Sequence, residues 1–207
     1  VPGLKLVAVL NGHMDDVEMA TFSPDGELIA TCSRDRTIGI FEKDGRLQRF
    51  LEGHDADVIS VAWSNDGTEL LSSSDDGTIR RWNVNDGRQI DLIDQEGVET
   101  DTIVITADGT IYSGDDEGRV SVFRDNGATA FDAHKAGVKR LIYSADLGLL
   151  ASLSYDRSLC IWDIADNGDL TLKQSTQFPN IIWPRSGAFL NGCEMVFGTF
   201  GSTYAAY

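Results

Sequence analysis

A short phrase centred on an aromatic residue recurs four times in this chain of 207 residues, at Ile40-Phe41-Glu42, Arg81-Trp82-Asn83, Val122-Phe123-Arg124 and Ile161-Trp162-Asp163. The aromatic positions lie 41, 41 and 39 residues apart. A period near forty means that each copy is one supersecondary unit unable to bury its apolar face alone, so that successive copies must stack. That length suits one four-stranded sheet per copy.

The interior of each copy repeats as well. Gly12-His13, Gly53-His54 and Ala133-His134 precede apolar runs that start four residues after each His, at Val17, Val58 and Val138. The third copy keeps Val98 in frame but has Asp94 where the His belongs. Strand-like alternation follows and closes on Asp25-Gly26, Asp66-Gly67 and Asp108-Gly109, where glycine accepts the positive φ of a hairpin turn. Further tight turns are expected at Ser33 to Thr37, Ser74 to Thr78 and Ser154 to Ser158.

On these residues the chain resembles the WD40 repeat family, whose members are β-propellers with four antiparallel strands per blade. The resemblance implies an all-β fold of four full blades and a partial fifth. Repeats are expected at about 11–51, 52–92, 93–131 and 132–174, with the partial copy over about 177–207. In the last, Ile181 to Arg185 reads as an innermost strand and Tyr207 stands at the Trp position. Leu4 to Leu10 reads as the outer strand of a preceding or closing blade. Either that strand closes a small ring, or the chain is a fragment of a larger ring of about seven blades; the fragment is the expectation.

In the family, a His in the linking loop, a Ser or Thr on the second strand, an Asp in the tight turn and a Trp on the third strand form one hydrogen-bonded line. Carried over, this implies His54, Ser72, Asp76 and Trp82 in the second copy, and His134, Ser152, Asp156 and Trp162 in the fourth. The first copy offers His13, Thr31 and Asp35 but ends in Phe41, which lacks the indole N–H. The third has Ser113, Glu117 and Phe123 without a His, and is expected to be the loosest blade. A buried carboxylate is costly unless its lone pairs are satisfied, so such a set stands or falls together.

The formal net charge of −16 disfavours phosphate backbones and anionic membranes as partners. Much of it falls in turns, at Asp25, Asp44, Asp66, Asp86, Asp108, Asp125 and Asp166, where a short carboxylate bonds nearby backbone. Cys32, Cys160 and Cys193 occupy unrelated places in the repeat, so neither a zinc site nor a disulfide framework is expected. No cofactor or metal is expected. The chain shows no signal peptide or apolar span of membrane length, which points to the cytoplasm.

Catalysis is disfavoured because all three His sit at the repeat's structural position. Ser72, His54 and Asp76 match a nucleophilic triad by residue type, but the same types recur in the fourth copy. Asp16 and Asp57 could serve as paired carboxylates of a sugar-active propeller, the least favoured reading. Recognition remains: loops on a rigid scaffold are where binding residues concentrate. The resemblance implies a binding face made of the outer-to-inner links and the second-to-third-strand turns. On this chain that face comprises Asp16, Arg34, Asp57, Asp75, Asp116, Tyr155, Trp183 and Arg185, and its acids suggest a basic or Arg-containing protein partner. The function expected is a non-catalytic scaffold. The alternative is a regulatory or recruiting arm of a larger kinase, NTPase or ubiquitin ligase.

Overall fold

The computed structural model describes residues 3, 6–124, 127–179, 184–190 and 194–199, together with the backbone of 204–206. Its first sheet comprises β1 (Val17–Phe22), β2 (Leu28–Ser33), β3 (Thr37–Glu42) and β4 (Leu47–Glu52). The second comprises β5 (Val58–Trp63), β6 (Glu69–Ser74), β7 (Thr78–Asn83) and β8 (Gln89–Asp94). The third is β9 (Thr100–Ile105), β10 (Ile111–Asp115), β11 (Arg119–Arg124) and β12 (Gly127–Asp132). β13 (Val138–Ser144), β14 (Leu149–Ser154), β15 (Ser158–Ile164) and β16 (Leu170–Gln177) form the fourth, and β17 (Pro184–Phe189), β18 (Met195–Thr199) and β19 (Tyr204–Ala206) a fifth of three strands. Every sheet is an antiparallel meander in chain order, and the described residues contain no helix. These are WD40-type propeller blades.

The hairpin turns account for much of the acidity. Asp25 accepts the Glu27 N–H at 3.0 Å and the Ser23 hydroxyl at 2.6 Å, and Asp66 repeats the arrangement with Thr68 and Ser64. These bonds favour the charged form, so both carboxyls lie below the usual carboxylate range.

The chain forms two compact units, Val1–Gly97 and Val98–Tyr207. In the first, Ala30, Cys32, Ile38, Ile40 and Leu51 pack with Val58, Val61, Leu70 and Trp82. Burying each large side chain contributes about 1.5–3 kcal/mol. The Trp63 indole N–H donates to the Thr21 carbonyl at 3.3 Å, tying the two innermost strands. Val58 and Trp63 are 0% and 9% exposed under this cover, whereas their counterparts Val17 and Phe22 are 51% and 62% exposed. In the second unit, Tyr112, Val120 and Val122 meet Leu141, Leu150 and Trp162, while Leu153 and Phe178 meet Met195 and Phe197.

Residues 6–10, read from sequence as an outer strand with Leu4 and Lys5, are not in a strand. They run past the β3–β4 turn, where Ala8 Cβ lies 2.8 Å from the place a Gly45 side chain would start. A strand needs a neighbour with an unpaired backbone edge, and a turn supplies none. Residues 181–183 and 207 of the fifth copy lie outside the described residues.

All five innermost strands begin with a β-bulge. Val17 pairs with Ser33 and Met19 with Cys32, which leaves Glu18 as the extra residue; the same slip leaves Ile59, Asp101, Lys139 and Arg185 over. A bulge re-aims the side chain it carries.

Candidate functional site

In the second blade one hydrogen-bonded line crosses the sheet from strand to turn. The Trp82 N–H donates to Ser72 Oγ at 2.8 Å, Ser72 Oγ lies 2.7 Å from His54 Nε2, and His54 Nδ1 lies 2.8 Å from Asp76 Oδ2. Asp76 also accepts the Asp55 N–H at 3.0 Å, the Thr78 N–H at 2.9 Å and the Thr78 hydroxyl at 2.6 Å. Arg80 adds a guanidinium at 3.4 Å. The first blade repeats this with Asp35, His13 and Thr31 at 2.9 and 2.7 Å, and buried Phe41 fills the indole's place without a donor.

The fourth blade departs from the pattern. His134 Nε2 meets Ser152 Oγ at 2.8 Å and Trp162 donates to Ser152 at 3.0 Å, but His134 Nδ1 stands 3.8 Å from Asp156. Ser158 closes the gap, lying 2.6 Å from His134 Nδ1 and 2.5 Å from Asp156 Oδ1. In the first two blades threonine holds this place, and the Thr37 and Thr78 hydroxyls stand farther from the His Nδ1, at 3.2 and 3.4 Å. The hydroxyl two residues after the acid, in Thr37, Thr78 and Ser158, was missed as a member of the line. Its recurrence in three turns was the available signal.

Proton direction follows from donor chemistry. A carboxylate only accepts, so His54 carries a proton on Nδ1, and with the ring neutral Nε2 accepts from the Ser72 hydroxyl. Burial favours that state and lowers the His54 and His134 pKa below their usual value. Burial alone would raise the Asp35 and Asp76 carboxyls, but the hydrogen bonds they receive outweigh it and bring both down to about 2. Both shifts make folding stability fall with acid. The His contribution is complete above the free-imidazole pKa of about 6.5 and declines below it; the Asp contribution is complete above about 3.9 and is lost toward pH 2. Urea midpoints measured from pH 8 to pH 3 are therefore expected to drop in two stages, and a flat profile between pH 7 and 5 would contradict the neutral-histidine assignment.

Ser72, His54 and Asp76 thus have the connectivity of a nucleophilic triad, but Ser72 is 0% exposed and its oxygen already accepts from Trp82. No substrate carbonyl reaches it. The third blade corrects another expectation, since exposed Glu117 takes no part in a line of this kind and pairs with Arg119 at 3.0 Å. Its buried acid is Asp115, whose carboxylate accepts the Arg119 N–H at 2.8 Å and Nε at 2.9 Å. Tyr112, fully buried, adds a bond to the Gly168 carbonyl at 2.8 Å, and burial pushes its phenol up to about 12. Arg124 pairs with Asp169 nearby.

The remaining candidates line the loop ends beside the bulges. In the first unit, Arg34 donates to the bulged Glu18 at 2.5 Å and lies 3.9 Å from Asp57. The Arg34 N–H binds the Asp16 carbonyl and the Asp75 N–H binds that of Asp57, so turn and link are clasped in both blades. In the second unit, the bulged Asp101 and Lys139 pair at 3.6 Å, and Lys139 Nζ stands 5.6 Å from the Tyr155 ring centroid. Arg185 reaches the Tyr155 hydroxyl at 3.4 Å. Asp116 is exposed on the β10–β11 turn, and Trp183 lies outside the described residues. Burial raises the Asp101 pKa, opposed by Lys139. Glu18, Asp101 and Lys139 were not read from sequence as part of this surface, because a bulge leaves no compositional mark. Among the described residues, no group of three or more His, Cys, Asp or Glu is placed to hold a metal ion.

Comparison with known proteins agrees with this geometry. The model of the family described as WD domain, G-beta repeat matches residues 4–42, 45–83 and 127–163. The unmatched stretch between contains the first three strands of the blade whose buried acid is Asp115. A probable cytosolic iron-sulfur protein assembly protein 1 from Cryptococcus neoformans is 28% identical over 201 residues, covering 80% of this chain and 41% of that protein. The target of rapamycin complex subunit wat1 of Schizosaccharomyces pombe is 28% identical over 75% of this chain and 53% of its own length. A WD repeat-containing protein 26 homolog from Arabidopsis thaliana is 27% identical, with 84% of this chain and 36% of the relative covered. The chain thus spans about half or less of these relatives.

Proposed function

The chain belongs to the WD40 repeat family, and from that premise we propose that it is a non-catalytic scaffold that grips a protein partner through its loop ends. The observation that carries this reading is the complete engagement of the three His in strand-stitching bonds, each with both ring nitrogens occupied. The residues with chemistry to offer are then the loop residues. Relatives whose names describe an assembly protein and a complex subunit support a role inside a larger assembly, and one named as cytosolic supports a cytoplasmic location.

In the first unit the partner segment is basic. Arg34 is one cation among Asp16, Glu18 and Asp57; its bond to Glu18 raises its pKa, and Asp16 and Asp57 add to that. An incoming Arg or Lys therefore meets a surface that remains negative, which steers encounter as well as holding the complex. The same acidity disfavours nucleic acid and anionic membranes, and among the described residues no helix is long and apolar enough to cross a bilayer.

A fluorescein-labelled peptide of alternating Arg and Ser tests the reading by polarisation. Combined Asp57→Ala and Asp75→Ala substitution in the full-length protein is expected to weaken binding at least fivefold, with a smaller salt dependence. Unchanged affinity and salt slope would overturn the basic-partner assignment.

A further inference from the structure

The bulges divide by charge. In the first unit the re-aimed residues are Glu18 and Ile59; in the second they are Asp101, Lys139 and Arg185. Both cations converge on Tyr155, which is 40% exposed on the β14–β15 turn. At the equivalent turn position the first three blades have Arg34, Asp75 and Asp116, so Tyr155 is the one aromatic among the four four-stranded blades.

Three features make this an organised surface. The Tyr155 ring is held by the Lys139 ammonium at 5.6 Å from its centroid and by Arg185 at its hydroxyl, so little side-chain freedom remains to be lost on binding. Lys139 is backed by Asp101, whose side chain is only 14% exposed and is committed to that pair. The turn itself is clasped to the preceding link, with the Tyr155 N–H on the Gly137 carbonyl at 3.0 Å and the Lys135 N–H on Asp156 at 2.8 Å. That clasp brings the exposed Lys135 beside the turn, and Arg157 follows Tyr155 by two residues.

We propose that this surface of the second unit is a separate recognition site for an acidic peptide segment, whose carboxylates engage Arg185 and Lys139 while an apolar side chain stacks on Tyr155. It rests on the protein-recognition reading above but reverses the partner's charge for this unit. The reversal follows from the balance of charge. Asp101 is 14% exposed and paired with Lys139, and the exposed Asp116 at the edge of the cluster is set against three cations around Tyr155: Arg185, Lys139 and Lys135. Tyrosine also supplies large, rigid contact area at low entropic cost, and tyrosine with arginine is the usual make-up of an energetic anchor.

The experiment uses two fluorescein-labelled peptides on the full-length protein: alternating Glu and Ser around one Leu, and the Arg and Ser peptide above. Arg185→Glu and Tyr155→Ala are each expected to weaken the acidic peptide at least tenfold, Tyr155→Phe less than threefold, and Asp57→Ala with Asp75→Ala not at all. Melting curves identify any variant that has merely unfolded, and Tyr155→Phe keeps the ring as a folded control. Binding of the basic peptide alone would overturn this inference and leave the proposed function standing. Acidic-peptide binding that survives both Arg185→Glu and Tyr155→Ala would overturn the site assignment, and binding of neither peptide would overturn both readings.

Discussion

Asp76→Ala is expected to destabilise the protein by about 3–5 kcal/mol, the range for removing one partner of a buried charged network. The carboxylate side chain is 7% exposed and receives His54, Asp55, Thr78 and Arg80, so its loss strands the His54 ring, whose side chain is 1% exposed, without its strong acceptor. The damage spreads along the line. Without Asp76, His54 Nδ1 is left with the long contact to the Thr78 hydroxyl at 3.4 Å, and the Ser72 and Trp82 bonds lose their direction. Asp66→Ala provides the comparison: that acid caps an exposed turn through Thr68 and Ser64, and its removal is expected to cost far less. Urea unfolding followed by tryptophan fluorescence measures both. If the two variants lose equal stability, the line through Asp76 is decoration and the blade is held by apolar packing alone.

Gly118→Ala is expected to be as damaging, for a steric reason. At φ 90° a left-handed backbone costs a residue with a side chain about 1–2 kcal/mol. That cost alone is tolerable, because Arg36 and Arg157 occupy the same turn position at φ 70° and 67°. The difference lies in what surrounds the position. A Cβ on Gly118 would sit 2.6 Å from the His134 carbonyl oxygen and 2.9 Å from that of Ala136, both backbone atoms with no rotamer to yield. The Gly118 carbonyl also accepts the Ala133 and His134 N–H groups at 3.2 and 3.0 Å. Moving the loop to relieve the clash therefore pulls His134 from Ser152 and Ser158. Hydrogen exchange is expected to show faster opening of the Ala133 and His134 amides in the variant, together with a lower urea midpoint; protection at both amides equal to the parent would refute the clash.

Much of this arrangement is legible residue by residue. The His, the small hydroxyl, the turn acid and the aromatic recur at matched spacings because each makes bonds only at its own place in the sheet. Hence His13 finds Thr31 and Asp35, and His54 finds Ser72 and Asp76, at 2.7 to 2.9 Å. The third blade was harder to read. Its acid moved two positions, from the place of Glu117 to that of Asp115, since a neighbouring Arg119 can satisfy a carboxylate there without any histidine. Residues 6–10 have apolar content compatible with a strand, but strand formation depends on an edge that local sequence does not describe.

Repeat period, blade chemistry and the family follow from the order of residues alone, because a hydrogen-bonding pattern that recurs every forty residues constrains local backbone directly. Which loop residues face one another was settled by the tertiary structure. Bulges at the head of each innermost strand turn Glu18 toward Arg34, and Lys139 toward Asp101 and Tyr155. Such contacts join side chains from different strands and blades, and their distances depend on how sheets stack and slip in register, a property of packing that no single segment encodes.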